Sequence, residues 1–297
     1  MDCDSTSALS LRSFHHSEFA ADRLRAARTE TISVCVPARE EAATIAGVVA
    51  PLIELREAGV VDQVLVVDAA SADGTAAIAA RLGADVFDQA ELLADVGPVA
   101  GKGDAMWRAL SVMSGDLVCF VDGDTEDFGA HFALGLLGPL VCEPGVQFVK
   151  GFYRRPFKDA GGTAPGGGGR VTELTARPLL QAFYPALAQM RQPLAGEMAA
   201  RRELLERLAF CTGYAVEMGL LLDVHAAAGI GAMAQVDLDV RQNRHQPIAD
   251  LAPMADAVLA AVTSRLRRDG RLLDDGGGEP LERLPLSQLR ALRGAGA

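Results

Sequence analysis

Five apolar residues, Leu117-Val118-Cys119-Phe120-Val121, run without a break into Asp122-Gly123-Asp124. An uninterrupted apolar run of this length reads as a strand buried on both faces of a sheet. Open sheets of this kind gather their ligands beyond the carboxyl ends of the strands, which is where Asp122 and Asp124 fall. Two carboxylates set one residue apart repel each other unless a cation lies between them. Oxygen-only ligands favour Mg²⁺ or Mn²⁺, and such ions commonly bridge to phosphate oxygens. The motif therefore reads as an Asp-x-Asp site for a metal diphosphate. The competing reading is a solvated Asp-Gly turn.

The flanking sequence repeats the same plan. Ile32-Ser33-Val34-Cys35-Val36 reads as a first strand that stops at Pro37-Ala38-Arg39-Glu40-Glu41, and a helix is predicted from about 41 to 58 with a bend at Pro51. Gln63–Val67 reads as a second strand, ending at Asp68 and followed by a helix through Leu82; 84–87 is a short third strand. Strand and helix alternate at the spacing of a parallel, doubly wound α/β sheet. The loops after the first two strands then share a sheet edge with Asp122. Asp68 and Ser71 either contact a nucleotide there or cap the next helix.

Gly101-Lys102-Gly103 opens another helix, and a glycine-flanked lysine at a helix start suits a phosphate. It is not a P-loop, because the Gly-Lys-Ser/Thr ending is missing. The Gly-x-Gly-x-x-Gly fingerprint is also missing after the first strand, which argues against a dinucleotide cofactor.

The second half has a different texture. Phe148–Tyr153 reads as a strand, and 161–169 is a glycine-rich flexible loop leading into Arg170-Val171-Thr172-Glu173, a helix start. Lys150, Arg154, Arg155, Lys158 and Arg170 form a basic island in a chain of net charge −11. The overall charge opposes non-specific binding to nucleic acid or an anionic membrane, so an anionic substrate must be met by such an island. Glu217 lies inside an apolar helical run, and an acid there is either paired or close to the chemistry. Val236–Val240 alternates like an edge strand and ends in the polar cluster Arg241–Pro247; a helix is predicted from about 254 to 267. The remainder is rich in glycine and charge and is expected to pack loosely.

Phe14-His15-His16 invites a metal reading, but adjacent histidines on a helix face apart and no carboxylate spacing supports them. The five cysteines, Cys3, Cys35, Cys119, Cys142 and Cys211, form no Cys-x-x-Cys pair and read as buried small hydrophobes in a reducing compartment. No signal peptide is visible, and no run approaches the roughly 18 apolar residues of a membrane span. A soluble, cytoplasmic protein is expected.

Several ordered motifs resemble those of one family: Val-Pro-Ala-Arg-Glu-Glu at 36–41, Asp-Ala-Ala-Ser at 68–71, Gly-Lys-Gly-Asp-Ala-Met-Trp at 101–107, and Val-Asp-Gly-Asp-Thr-Glu-Asp-Phe at 121–128. Phe-Tyr-Arg-Arg-Pro-Phe at 152–157, Gly-Arg-Val-Thr-Glu-Leu at 169–174, Pro-Leu-Ala-Gly-Glu at 193–197 and Gly-Tyr-x-Val-Glu at 213–217 continue it. Over roughly residues 14–265 the chain resembles the glucosyl-3-phosphoglycerate synthases, retaining glycosyltransferases of the GT-A fold.

The resemblance implies a metal-dependent transfer of glucose from UDP-glucose to the 2-hydroxyl of 3-phosphoglycerate, in a homodimer. The chain is expected to divide into an N-terminal arm at 1–30, a nucleotide-sugar-binding half at 31–147, an acceptor-binding and helical half at 148–268, and a flexible tail at 269–297. Pro37, Ala38, Glu41, Ser71, Lys102, Asp122, Gly123 and Arg241 would hold the nucleotide sugar. Gly169, Arg170, Val171, Thr172 and Asn243 would hold the acceptor. Glu217 would lie near the transferred sugar, and Asp124 would bind Mg²⁺ or Mn²⁺ and serve catalysis. The family pattern places His two residues after the Arg and Asn two further on. Here Asn243 and His245 stand exchanged, so either completes the metal site as its third ligand; imidazole is the better divalent ligand, which favours His245. The same fold with another nucleotide sugar such as GDP-mannose or with another acceptor, a nucleotidyltransferase, and a non-catalytic nucleotide-sugar sensor are the alternatives.

Overall fold

In this computed structural model the apolar runs build one eight-stranded sheet. Residues 10–155, 157–159, 162–164, 169–242, 248–273 and 279–294 are described. In chain order the elements are β1 (Arg12–His15), α1 (Ala21–Ala27), β2 (Ile32–Ala38), α2 (Ile45–Glu57), β3 (Gln63–Asp68), α3 (Thr75–Arg81), β4 (Asp85–Asp88), α4 (Lys102–Ala109), β5 (Leu117–Phe120) and α5 (Ala130–Cys142). There follow β6 (Phe148–Arg154), the antiparallel pair β7 (Phe157–Asp159) and β8 (Gly162–Ala164), α6 (Arg177–Phe183), β9 (Met198–Arg201), α7 (Arg202–Glu206), β10 (Phe210–Cys211), α8 (Val216–Ala228), β11 (Met233–Val240), α9 (Ile248–Arg268), β12 (Glu282–Arg283) and α10 (Leu286–Gly294).

The sheet order is β1-β11-β6-β9-β5-β2-β3-β4, parallel throughout except that β9 runs antiparallel to both neighbours. The central run is apolar without a break because both faces of the sheet are covered. Val118 and Phe120 pack into one layer with Met106 and Trp107 of α4. Leu117, Cys119 and Val121 enter the opposite layer with Phe132 and Leu136 of α5. No described helix is long and apolar enough to cross a membrane.

Four expectations are corrected. The helix predicted from 41 begins at Ile45, because side chains capture the preceding N–H groups: Ser71 Oγ accepts from Glu40, Thr75 Oγ1 from Glu41 and Asp73 Oδ2 from Ala42, at 2.8, 2.8 and 2.9 Å. Glu40 takes φ +57° to make that turn. Ser71 is thereby used on the loop and caps no helix; Gly74 stands at the α3 N-cap.

β11 is not an edge strand. It lies between β1 and β6, and the edge is β1, from the segment read as an arm. β9 carries no strand signal in the sequence. Ala199 and Ala200 carry little strand propensity, and the slot between β5 and β6 decides their conformation.

The tail docks rather than packing loosely. β12 pairs with β10, Trp107 Nε1 donates to Leu284 O at 2.9 Å, and the Arg283 guanidinium holds both oxygens of buried Asp104 at 2.8 and 3.0 Å. Burial pushes the Asp104 carboxyl up, but hydrogen bonds from Arg283 and the Ala100 N–H, with the Arg108 charge, outweigh it and hold it below the ordinary range. Such a group contributes stability in full above its unfolded value, and loses it as pH falls through the lower folded value. Parent and Asp104→Asn proteins should therefore differ most in urea midpoint near neutrality, the gap narrowing below about pH 4. Equilibrium unfolding at a series of pH values measures this, and a gap that is constant with pH would contradict it.

Candidate active site

β5 delivers its two acids to a turn that is tied down on three sides. The Val121 N–H bonds Cys35 O at 3.1 Å, Thr44 Oγ1 donates to Gly123 O at 2.7 Å, and Thr125 Oγ1 accepts from Arg241 Nε at 3.1 Å. The start of α4 places Lys102 opposite. Its Nζ lies 2.6 Å from Asp122 Oδ1 and 3.0 Å from Glu217 Oε1, which the first turn of α8 supplies. Gly196 passes directly beneath this pair. A Cβ there would stand 2.4 Å from Asp122 Oδ1 and 2.6 Å from Lys102 Nζ, so any side chain at this position would push the ion pair apart.

Arg241, just beyond β11, has a side chain that is 1% exposed and works as a hub. Nη2 lies 3.1 Å from Asp122 Oδ2 and 2.6 Å from Asp124 Oδ1. Nη1 lies 2.8 Å from Glu197 Oε1 and donates to Tyr153 Oη at 2.7 Å, while Tyr153 donates to Glu197 Oε2 at 2.8 Å. Burial alone raises the Asp122 carboxyl, but the charges of Lys102 and Arg241 more than reverse this, and it stays ionised well below the ordinary range. Burial likewise works against charged Lys102, and Asp122 and Glu217 overcome it, so the ammonium persists. Deeper in, burial raises Glu197 against the pull of Arg241, and pushes Tyr153 up to about 12.

These groups face a cavity of about 310 Å³. Lys102, Asp122, Asp124, Glu217 and Arg241 line it, and so do Gly169, Arg170, Val171 and Thr172. Pro37, Ala38, Glu41, Ser71 and Gly123 lie beyond its lining, at the carboxyl ends of β2 and β3 and in the turn after β5. Gly123 lies against two of them, since a Cβ there would meet Pro37 O and Ala38 Cβ at 3.5 and 3.6 Å. Asn243 and His245 lie outside the described residues.

The basic island does not form as one patch. Lys150 is buried, donates to Ala195 O and is lowered by burial to about 8. Arg154 pairs with Asp239, whereas Arg155 and Arg170 do line the cavity; the Lys158 side chain lies outside the description. Sequence reasoning missed Tyr153, Glu197 and Arg191, which also lines the cavity. The only signal for Tyr153 and Glu197 was position inside the quoted Phe-Tyr-Arg-Arg and Pro-Leu-Ala-Gly-Glu motifs, and Arg191 stands in neither.

The site suits a hard divalent cation. Asp122 has both oxygens engaged, by Lys102 and Arg241, while Asp124 is engaged through one and is 41% exposed. Among the described residues the other Asp124 oxygen has no partner, and oxygen donors are what Mg²⁺ and Mn²⁺ prefer.

A doubly wound sheet with paired acids beyond a central strand and a facing lysine defines a GT-A glycosyltransferase, and residues 33–166 match the family model Glycosyl transferase family 2. Glucosyl-3-phosphoglycerate synthase of Mycolicibacterium smegmatis is 44% identical over 245 residues, 82% of this chain and 80% of that protein. The crystal structure of mannosyl-3-phosphoglycerate synthase from Rubrobacter xylanophilus superposes with a TM-score of 0.86 at 45% identity, covering 94% of this chain and 97% of that one. Glucosyl-3-phosphoglycerate synthase from Mycobacterium tuberculosis, in complex with Mn²⁺, UDP-glucose and phosphoglyceric acid, gives 0.84 at 40% identity, covering 95% and 100%. The chain belongs to the glucosyl-3-phosphoglycerate synthase family.

Proposed function

We propose that this protein transfers glucose from UDP-glucose to the 2-hydroxyl of 3-phospho-D-glycerate with retention, releasing UDP. The observation that carries the reading is the shared cavity. Its lining brings together the acids and lysine suited to a sugar diphosphate and Arg170, suited to an anionic acceptor. The mycobacterial relative, solved with UDP-glucose, phosphoglyceric acid and Mn²⁺ and with UDP and Mg²⁺, supports the same assignment.

In this reading Pro37, Ala38, Glu41, Ser71 and Gly123 hold uridine, and Asp122 meets the ribose side of the nucleotide. Asp124 holds Mg²⁺ or Mn²⁺ with His245, and the ion, when bound, neutralises charge on the leaving diphosphate. Lys102 and Arg241 are fixed cations beside that charge before the reaction begins. Such preorganised groups stabilise a departing anion without reorganising. The sugar passes through an oxocarbenium-like state, and the acceptor hydroxyl enters on the face the diphosphate leaves. Glu217, held by Lys102, orients sugar or acceptor. Gly169, Val171, Thr172 and Asn243 complete the acceptor wall around Arg170. The reduced, unpaired cysteines among the described residues fit a cytoplasmic setting, and a homodimer is testable by sedimentation.

Arg170→Ala should raise the 3-phosphoglycerate KM by about 10–100-fold while changing the UDP-glucose KM little, as expected for loss of a charge-assisted contact. Initial rates with each substrate varied decide it; equal effects on both would count against the acceptor wall. The likeness to a mannosyl-3-phosphoglycerate synthase favours one second reading, GDP-mannose as donor. Incubating the protein with Mg²⁺, 3-phosphoglycerate and either donor, and following nucleotide release, separates the two.

A further inference from the structure

At the β1 edge of the sheet, away from the cavity, His15, His16 and Asp239 converge. Among the described residues this group offers one ligand atom each, all within 4.8 Å of one another. The argument from adjacent histidines fails here because they are not on a helix. His15 ends β1 and His16 opens a tight turn, so both rings swing to the same side. Their Nε2 atoms stand 3.4 and 2.7 Å from the two oxygens of Asp239. Asp239 takes φ +68° where the β11–β6 ladder slips between Asp237 and Val240, an unusual backbone that aims its carboxylate at the histidines. His15 Nδ1 accepts from the Ser17 N–H at 3.2 Å and lies 2.8 Å from Ser17 Oγ, which holds the ring with Nε2 turned to Asp239; a metal at Nε2 requires the other tautomer, with Nδ1–H donating to Ser17 Oγ.

We propose that His15, His16 and Asp239 form a second metal site, separate from the acid pair of β5 and suited to Zn²⁺. Two imidazoles and a carboxylate are a zinc donor set that leaves the fourth position to water. Mg²⁺, which prefers oxygen, does not compete for it. Ligands about 2.0–2.1 Å from a tetrahedral zinc stand about 3.3 Å apart. The His15 pair is already there, and the half-exposed Asp239 carboxylate has room to open the His16 pair. The ion displaces the contact from Arg154, 3.3 Å away and 70% exposed. It staples the edge strand to β11 two residues before Arg241, so its occupancy bears on the segment that delivers the hub arginine.

Titration with Zn²⁺ against a chromophoric chelator tests this, using the parent, His15→Gln, His16→Gln and, to remove the β5 site, Asp124→Ala. The parent and Asp124→Ala should share a zinc equivalent that both histidine variants bind at least about 100-fold more weakly, because loss of even a supporting group costs about 10–100-fold. Zn²⁺ should also raise the melting temperature of the parent and not of the histidine variants. Should one histidine variant fail to fold, the other carries the same readout. Equal zinc affinity and stoichiometry in all four proteins would overturn the proposal, and so would loss of the equivalent in Asp124→Ala alone.

Discussion

Asp124→Ala is expected to lower kcat by about a thousandfold or more at saturating donor, acceptor and Mg²⁺, with the melting temperature close to that of the parent. The magnitude is that of losing the electrostatic stabilisation of a leaving group. The selectivity follows from geometry. Asp124 is 41% exposed and among the described residues its ion pair is to Arg241, which keeps Asp122, Glu197 and Tyr153 as partners after the change. The fold loses little, whereas the carboxylate oxygen left open for the cation is gone. Initial rates and a thermal melt on the same preparation decide the matter. Turnover within about tenfold of the parent would remove the metal assignment from this residue.

The second large effect belongs to Arg241→Met, and it combines stability with activity. Glu197 has no exposed side-chain surface and its charge is matched by Arg241 at 2.8 Å. Removing one member of a buried pair leaves an uncompensated charge and costs about 3–5 kcal/mol. Arg241→Met should therefore be strongly destabilised in urea and inactive. Adding Glu197→Gln should recover much of the stability and none of the activity, because the cation facing Asp122 and Asp124 is still missing. A double-mutant cycle on unfolding free energies measures the coupling. Additive single effects would mean that Glu197 does not support Arg241 in the way the distances imply.

The acid pair, the glycine-flanked lysine and the acid in α8 could each be read from sequence for one reason. Each breaks a local pattern: an apolar strand ending in two carboxylates, a cation between glycines, a carboxylate in an apolar helix. Residues whose importance lies in a partner far along the chain broke no pattern. Tyr153, Glu197 and Arg241 come from three segments, and only the pairing of β6, β9 and β11 stacks them under the acids. Lys150 illustrates the converse error, since a lysine beside two arginines reads as surface charge until the sheet buries it.

The chain by itself determined the class of fold and the place of the chemistry. An apolar strand with no polar face must be covered on both sides, and alternation with helices leaves a parallel sheet as the solution. Tertiary structure alone decided that Met198–Arg201 is an inner antiparallel strand, that an N-terminal segment closes the sheet edge beside β11, and that the C-terminal segment docks on Asp104. Those outcomes rest on long-range pairing, in which weak local preferences yield to the hydrogen bonds and burial that the assembled sheet offers.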